Sequence, residues 1–214
     1  MAVASIFRRS MKIQVVVAIS ALLVMGGTLG TSGNANAQQT SSGSPAAAPA
    51  KPAVGSMVDP APALEAMLSG YEADMMRLAK LMPAEKYDFT PDSLKIPGSR
   101  FTGVRTFAEQ IKHITQDNLY ASGDTTGTAP TPAQLEAVTD LKTKDEIVAG
   151  LAASFKTFHQ AVSTLSPDNA LEVVAGDTLI TRATGAATGV AHGYNHYGQI
   201  VEYARMCGIS PSGK

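Results

Sequence analysis

Apolar spacing constrains this chain more than any other feature: in Pro60 to Met82, "PAPALEAMLSGYEADMMRLAKLM", residues Leu64, Met67, Leu68, Tyr71, Met75, Leu78 and Leu81 recur at intervals of three and four. That spacing gathers the large side chains on one face of a helix, and Pro83 helps to end it. The pattern returns three times. A second helix is predicted from about Val104 to Tyr120, with Phe107, Ile111, Ile114 and Leu119 as core positions. After the Gly, Thr and Pro segment "SGDTTGTAPTP" and the stretch "AQLEAVTDL", a third runs through "TKDEIVAGLAASFKTFHQAVSTL" and ends before Pro167. Thr143 and Glu146, three residues apart, form its capping box. A fourth spans Thr181 to Cys207, with Gly208 as its stop. No stretch sustains period-two alternation, and the only strand-like run is the short "LEVVAG". Long helices joined by connections as irregular as "AEKYDFTPDSLKIPGSRFTG" predict an all-α four-helix bundle. Its core should contain Phe107, Ile111, Leu151, Phe155 and either Leu179 or Ile180.

The start of the chain differs in kind. Arg8, Arg9 and Lys12 precede the apolar run "VVVAISALLVM", and Ala35-Asn36-Ala37 supplies small residues for cleavage before Gln38. The run is well short of the roughly 20 residues of a spanning helix, so residues 1–37 read as a signal peptide rather than a stable membrane span. The pair Arg8-Arg9 resembles a twin-arginine signal, but Met11-Lys12 departs from it, so the general secretory route is expected. The mature protein is then periplasmic or secreted. Residues 38–58, rich in Gln, Ser, Pro and Ala, hold too few large apolar side chains to offset the entropy of ordering, and they read as a disordered linker. Residues 59–214 form the domain, long enough for one well-buried core. Loss of the signal peptide removes three of 17 basic residues and none of the 18 acidic ones, leaving a net charge of −4 with neutral histidines. No basic run remains for a phosphate backbone, which argues against nucleic acid as a partner. The single Cys207 has no internal disulfide partner and reads as a small buried side chain.

The fourth helix carries "GVAHGYNHYGQIVEY", in which His192 and His196 stand one turn apart on one face. That placement lets two imidazoles converge on a single metal ion, although a pair four apart also arises by chance facing solvent. Thr188 and Thr184 extend the polar stripe backwards, and Gly185, Gly189 and Gly193 lie beside it. Each interior glycine costs on the order of 1 kcal/mol against alanine, so three in register call for a reason: a close neighbouring backbone, or room for a ligand. Two histidines rarely make a tight site. His113 in the second helix is the expected third ligand, because Glu109 and Asp117 flank it one turn away in a polar stripe. His159 follows Phe158 in an exposed-looking register and is expected to take no part.

These residues carry a resemblance. Met82-Pro83, Lys86-Tyr87, Phe89 and Pro91, then Arg105-Thr106-Phe107 leading to His113-Ile114, then His192, His196 and Gly198-Gln199 before Gly208, follow the order seen in the DinB-like superfamily of four-helix-bundle metal proteins. The likeness covers essentially the whole mature domain. It implies a metal triad of His113, His192 and His196 and leaves His159 without a counterpart. Two departures exclude particular chemistries. Gly193 stands where H-E-x-x-H would carry the metalloprotease base, and Gly198 stands where the H-x-x-x-H-x-E pattern of sulfoxide-forming iron enzymes needs its acid. The connection "DSLKIPGSRFTG" is also longer than usual, so the wall of the site near the second helix is expected to be rebuilt.

Three neutral imidazoles leave a divalent ion its full charge and an open position. Zinc, nickel, iron and copper all suit such ligands. The resemblance implies a metal-dependent enzyme activating water or a thiol on a small molecule, of hydrolase or S-transferase type. Glu109 and Asp117 are the candidate catalytic acids, orienting His113 or acting as a base, although both also read as solvated helix-surface residues. Export favours water, since small-thiol cofactors are chiefly cytoplasmic. A non-catalytic metal- or ligand-binding bundle is the alternative. The family and the methionines of the first helix leave a homodimer open, but Met67, Met75 and Met76 suit a core equally well.

Overall fold

Proline at the first position opens helix α1 (Pro60–Leu81), where its missing amide proton is not needed, and the chain leaves the helix at Met82 in an extended conformation before Pro83. The computed structural model describes residues 51–175 and 179–211. The expected signal peptide and cleavage site therefore lie outside the described residues, as does the first part of the linker; residues 51–59 are exposed and precede the first helix. Helix α1 buries Leu68, Tyr71, Met75 and Leu78 completely. Its stripe is narrower than the apolar spacing implied, because Met67 and Leu81, at the two edges, remain 49% and 42% exposed.

Helix α2 (Phe107–Thr126) starts at a Thr106–Glu109 capping box and ends at Gly127, whose φ of 78° needs no Cβ. It runs six residues beyond Tyr120, through "ASGDTT", a composition that reads as a connection. The hydroxyls of Ser122 and Thr125 donate to the carbonyls of Asn118 and Ala121 at 2.6 and 2.7 Å, one turn back. Satisfied in this way, polar side chains can be buried in a helix. Helix α3 (Pro132–Thr139) covers most of "AQLEAVTDL", and helix α4 (Lys144–Val162) begins at the expected Thr143–Glu146 box. Strands β1 (Val173–Ala175) and β2 (Ile180–Thr181) pair antiparallel, Val173 with Thr181 and Ala175 with Ile180. Helix α5 (Arg182–Met206) follows directly, with Thr181 as its N-cap.

The result is mostly α-helical. Helix α2 packs against α4 and α5, and α1 packs against the same two helices. Phe107, Ile111, Leu151 and Phe155 are fully buried at the centre, as expected. Each such side chain contributes roughly 1.5–3 kcal/mol through removal from water. One core expectation needs correction: Leu179 is 72% exposed, with a φ of 52° in the turn before β2, and Ile180 is only half-buried. Among the described residues no helix is long and apolar enough to cross a membrane.

The glycine stripe of α5 is explained by close approach. A Cβ at Gly185 would lie 2.7 Å from the Cβ of Asp124 on α2. At Gly189 it would overlap the Cβ of Ala121, also on α2, and come within 3.0 Å of Phe158. At Gly193 it would overlap the ring of Tyr71 on α1. Without side chains on this stripe, α5 lies close enough to α2 for their polar faces to meet.

Candidate metal centre

His113 and Asp117 stand one turn apart on α2, and His192 and His196 one turn apart on α5. Close packing of the two helices brings the pairs face to face. The Nε2 atom of His196 lies 3.1 Å from Nε2 of His113 and 3.1 Å from Nε2 of His192. The Oδ2 atom of Asp117 lies 3.1, 3.4 and 4.0 Å from the Nε2 atoms of His113, His192 and His196 respectively. One potential ligand atom from each of the four side chains falls within 4.8 Å of all the others. Two ligands held about 2.0–2.1 Å from a tetrahedral zinc ion stand roughly 3.3 Å apart, so these separations need little adjustment to accept an ion.

The electrostatics agree with the geometry. Burial, together with Arg105 and the neighbouring imidazoles, lowers the pKa of His113 to about 4. Burial, then His192 and Arg105, does the same to His196. Both rings are therefore neutral near pH 7 and able to offer a lone pair. Burial raises the pKa of Asp117, against the opposing pull of His192 and Arg105. Its Oδ2 is buried and accepts no hydrogen bond from any described residue. An orphaned carboxylate oxygen facing three basic nitrogens is costly in a protein interior, and a cation among them removes that cost. The donor set thus fits a divalent metal. Access is graded: the side chain of His196 is 7% exposed, that of His113 24% and that of His192 48%, so the cluster has a buried wall and a solvent-facing edge.

The structure brings His113, His192 and His196 together, as the spacing and the resemblance led one to expect. His159 lies elsewhere, with its Nδ1 2.6 Å from Glu65 and its Nε2 2.9 Å from Glu72, both on α1. Glu109 is exposed and not part of the cluster; its carboxylate accepts from the Thr106 amide at 2.7 Å in the cap of α2. Asp117 stands among the imidazole nitrogens themselves, its Oδ2 within 4.0 Å of all three. Its position four residues after His113, on the same face, was the signal.

The family model described as the DinB superfamily matches residues 67–200. No curated protein matches the chain. The matched span runs from α1 through His113 to His196, over the elements that pack together and the residues that converge, and on that ground the chain belongs to the DinB superfamily.

Proposed function

We propose that this protein is an exported, metal-binding member of its superfamily, folded as a four-helix bundle, that holds one divalent ion through His113, His192 and His196. Zinc, nickel and iron suit the donor set best, since it combines imidazoles with a carboxylate. Bound there, the ion supplies Lewis acidity toward water or a thiol, which makes metal-dependent hydrolysis or S-transfer the favoured enzymatic reading. The carrying observation is the pair of 3.1 Å contacts between imidazole nitrogens beside the orphaned Asp117 oxygen. Within that reading Asp117 either ligates the ion or holds a proton beside the incoming group. His192 forms the open edge through which a small molecule enters. Export favours water over a thiol as the activated group.

One observation favours a second, non-catalytic reading. Asp117 Oδ2 occupies the side of the cluster where an exogenous ligand would otherwise sit, and four protein ligands make the closed arrangement of structural zinc sites. Elemental analysis of protein purified without an affinity tag should find one divalent ion per chain. His113→Ala, His192→Ala and His196→Ala should each retain it roughly tenfold or more weakly, whereas His159→Ala should retain it fully. Equal metal in all four variants would remove the centre and every activity built on it.

A further inference from the structure

Gly193 leaves a gap in α5 at the place where other H-x-x-x-H helices carry a catalytic acid, and another helix fills it. A Cβ on Gly193 would overlap both Cζ and Oη of Tyr71, so the phenol of this α1 residue lies directly against the α5 backbone at the residue that follows His192 in sequence and precedes His196 by one turn. Tyr71 is fully buried. Its ring is held from two sides, edge-on to Phe155 at 5.0 Å between centroids and tilted against Tyr194 at 5.4 Å. Yet the hydroxyl makes no hydrogen bond to any described residue. A buried, unpaired phenol is unfavourable and uncommon, and the apolar requirements of this position would be met by phenylalanine. The charge of Asp117 is near enough to act on the phenol, adding to burial in raising its pKa, so Tyr71 remains protonated and a donor.

We infer that Tyr71 is a ligand-binding residue of the metal centre, its hydroxyl donating a hydrogen bond to a small anionic ligand seated beside the three imidazoles. The inference rests on the metal reading and adds the class of ligand, an anion with a compact acceptor atom, and the group that selects it. Gly193 is then required because any side chain there would push the phenol away.

The test uses the full mature chain loaded with cobalt(II), with azide as the probe, titrated by visible absorption. Tyr71→Phe should keep its cobalt and bind azide about tenfold more weakly than the wild type, the effect of one lost hydrogen bond in a buried site. Its metal-free form should unfold at the same or a higher denaturant concentration, since the hydroxyl has no partner to lose. Gly193→Ala, which retains the phenol but displaces it, should weaken azide binding in the same direction. Equal azide affinity in wild type and Tyr71→Phe overturns the inference, as does loss of cobalt from Tyr71→Phe alone, which would make the phenol a ligand or a strut. A wild type that holds no cobalt overturns the metal reading itself, and the inference with it; a wild type that holds cobalt but no azide overturns only the inference.

Discussion

Asp117 is a buried carboxylate whose Oδ2 has imidazole nitrogens at 3.1, 3.4 and 4.0 Å and no hydrogen bond from the described residues. Burial raises its pKa, so the folded, metal-free chain binds this proton more tightly than the unfolded chain does. The carboxylate therefore lowers stability as pH rises through its folded-state pKa, and at pH 7 it stands as a cost that a cation offsets. Asp117→Asn should accordingly stabilise the metal-free protein by about 1 kcal/mol at pH 7 while weakening metal retention. Denaturant unfolding with and without chelator measures both effects on one sample. A variant destabilised in both states would show that the carboxylate has a hydrogen-bonding role independent of metal. His113 and His196 run the other way in acid. Their pKa values, near 4 against an ordinary 6.5, mean that below pH 6.5 the unfolded chain takes up protons that the folded chain refuses. Stability of the metal-free protein should fall from pH 6.5 toward pH 4, and His113→Gln should flatten that fall.

At the scale of the element, α5 depends on what its glycines leave out. Gly189→Ala would drive a methyl group into Ala121 and Phe158, so α2 or α4 must retreat. Overpacking of this kind costs about 1–3 kcal/mol, and thermal unfolding of Gly189→Ala should show it together with weaker metal binding, because the two histidine-bearing helices separate. The histidine outside the centre serves a different contact. Both ring nitrogens of His159 on α4 face carboxylates of α1, which only the doubly protonated imidazolium satisfies as donor to each. Burial opposes its charge, but the hydrogen bonds it donates to Glu65 and Glu72 prevail and raise its pKa. Its contribution is thus full below pH 6.5 and lost as pH rises through the higher folded-state value. His159→Ala should cost roughly 0.5–1 kcal/mol at pH 6 and much less at pH 9, with no change in metal content; an equal loss at both pH values would mean that packing, not charge, ties α1 to α4.

For the whole molecule, the export proposal makes a sharp demand: N-terminal sequencing of secreted or periplasmic material should read from Gln38, within a few residues, and Met1 on the mature protein would sink it. Much of the domain was readable in one dimension because its causes are local. Apolar spacing of three and four, the Thr143–Glu146 box and the glycine stop after Cys207 each act within a turn or two of chain, and the corresponding helices stand where they were read. The i, i+4 pair at His192 and His196 was equally local, and family order supplied His113. What could not be read depends on neighbours distant in sequence. The last turns of α2 looked like a loop by composition, and became helix once packing buried their hydroxyls against carbonyls one turn back. Leu179 looked like core, and the turn before β2 faced it to solvent. Whether the glycines of α5 admit a ligand or a neighbouring helix was undecidable from propensity, because the answer lies in Asp124, Ala121, Phe158 and Tyr71 on three other helices. Residue spacing determined which side chains share a face; only the packing of α2 on α5 decided that Asp117 would stand among the imidazoles, since separations of a few ångströms between residues about 80 positions apart are set by the contacts of whole helices and not by any local preference.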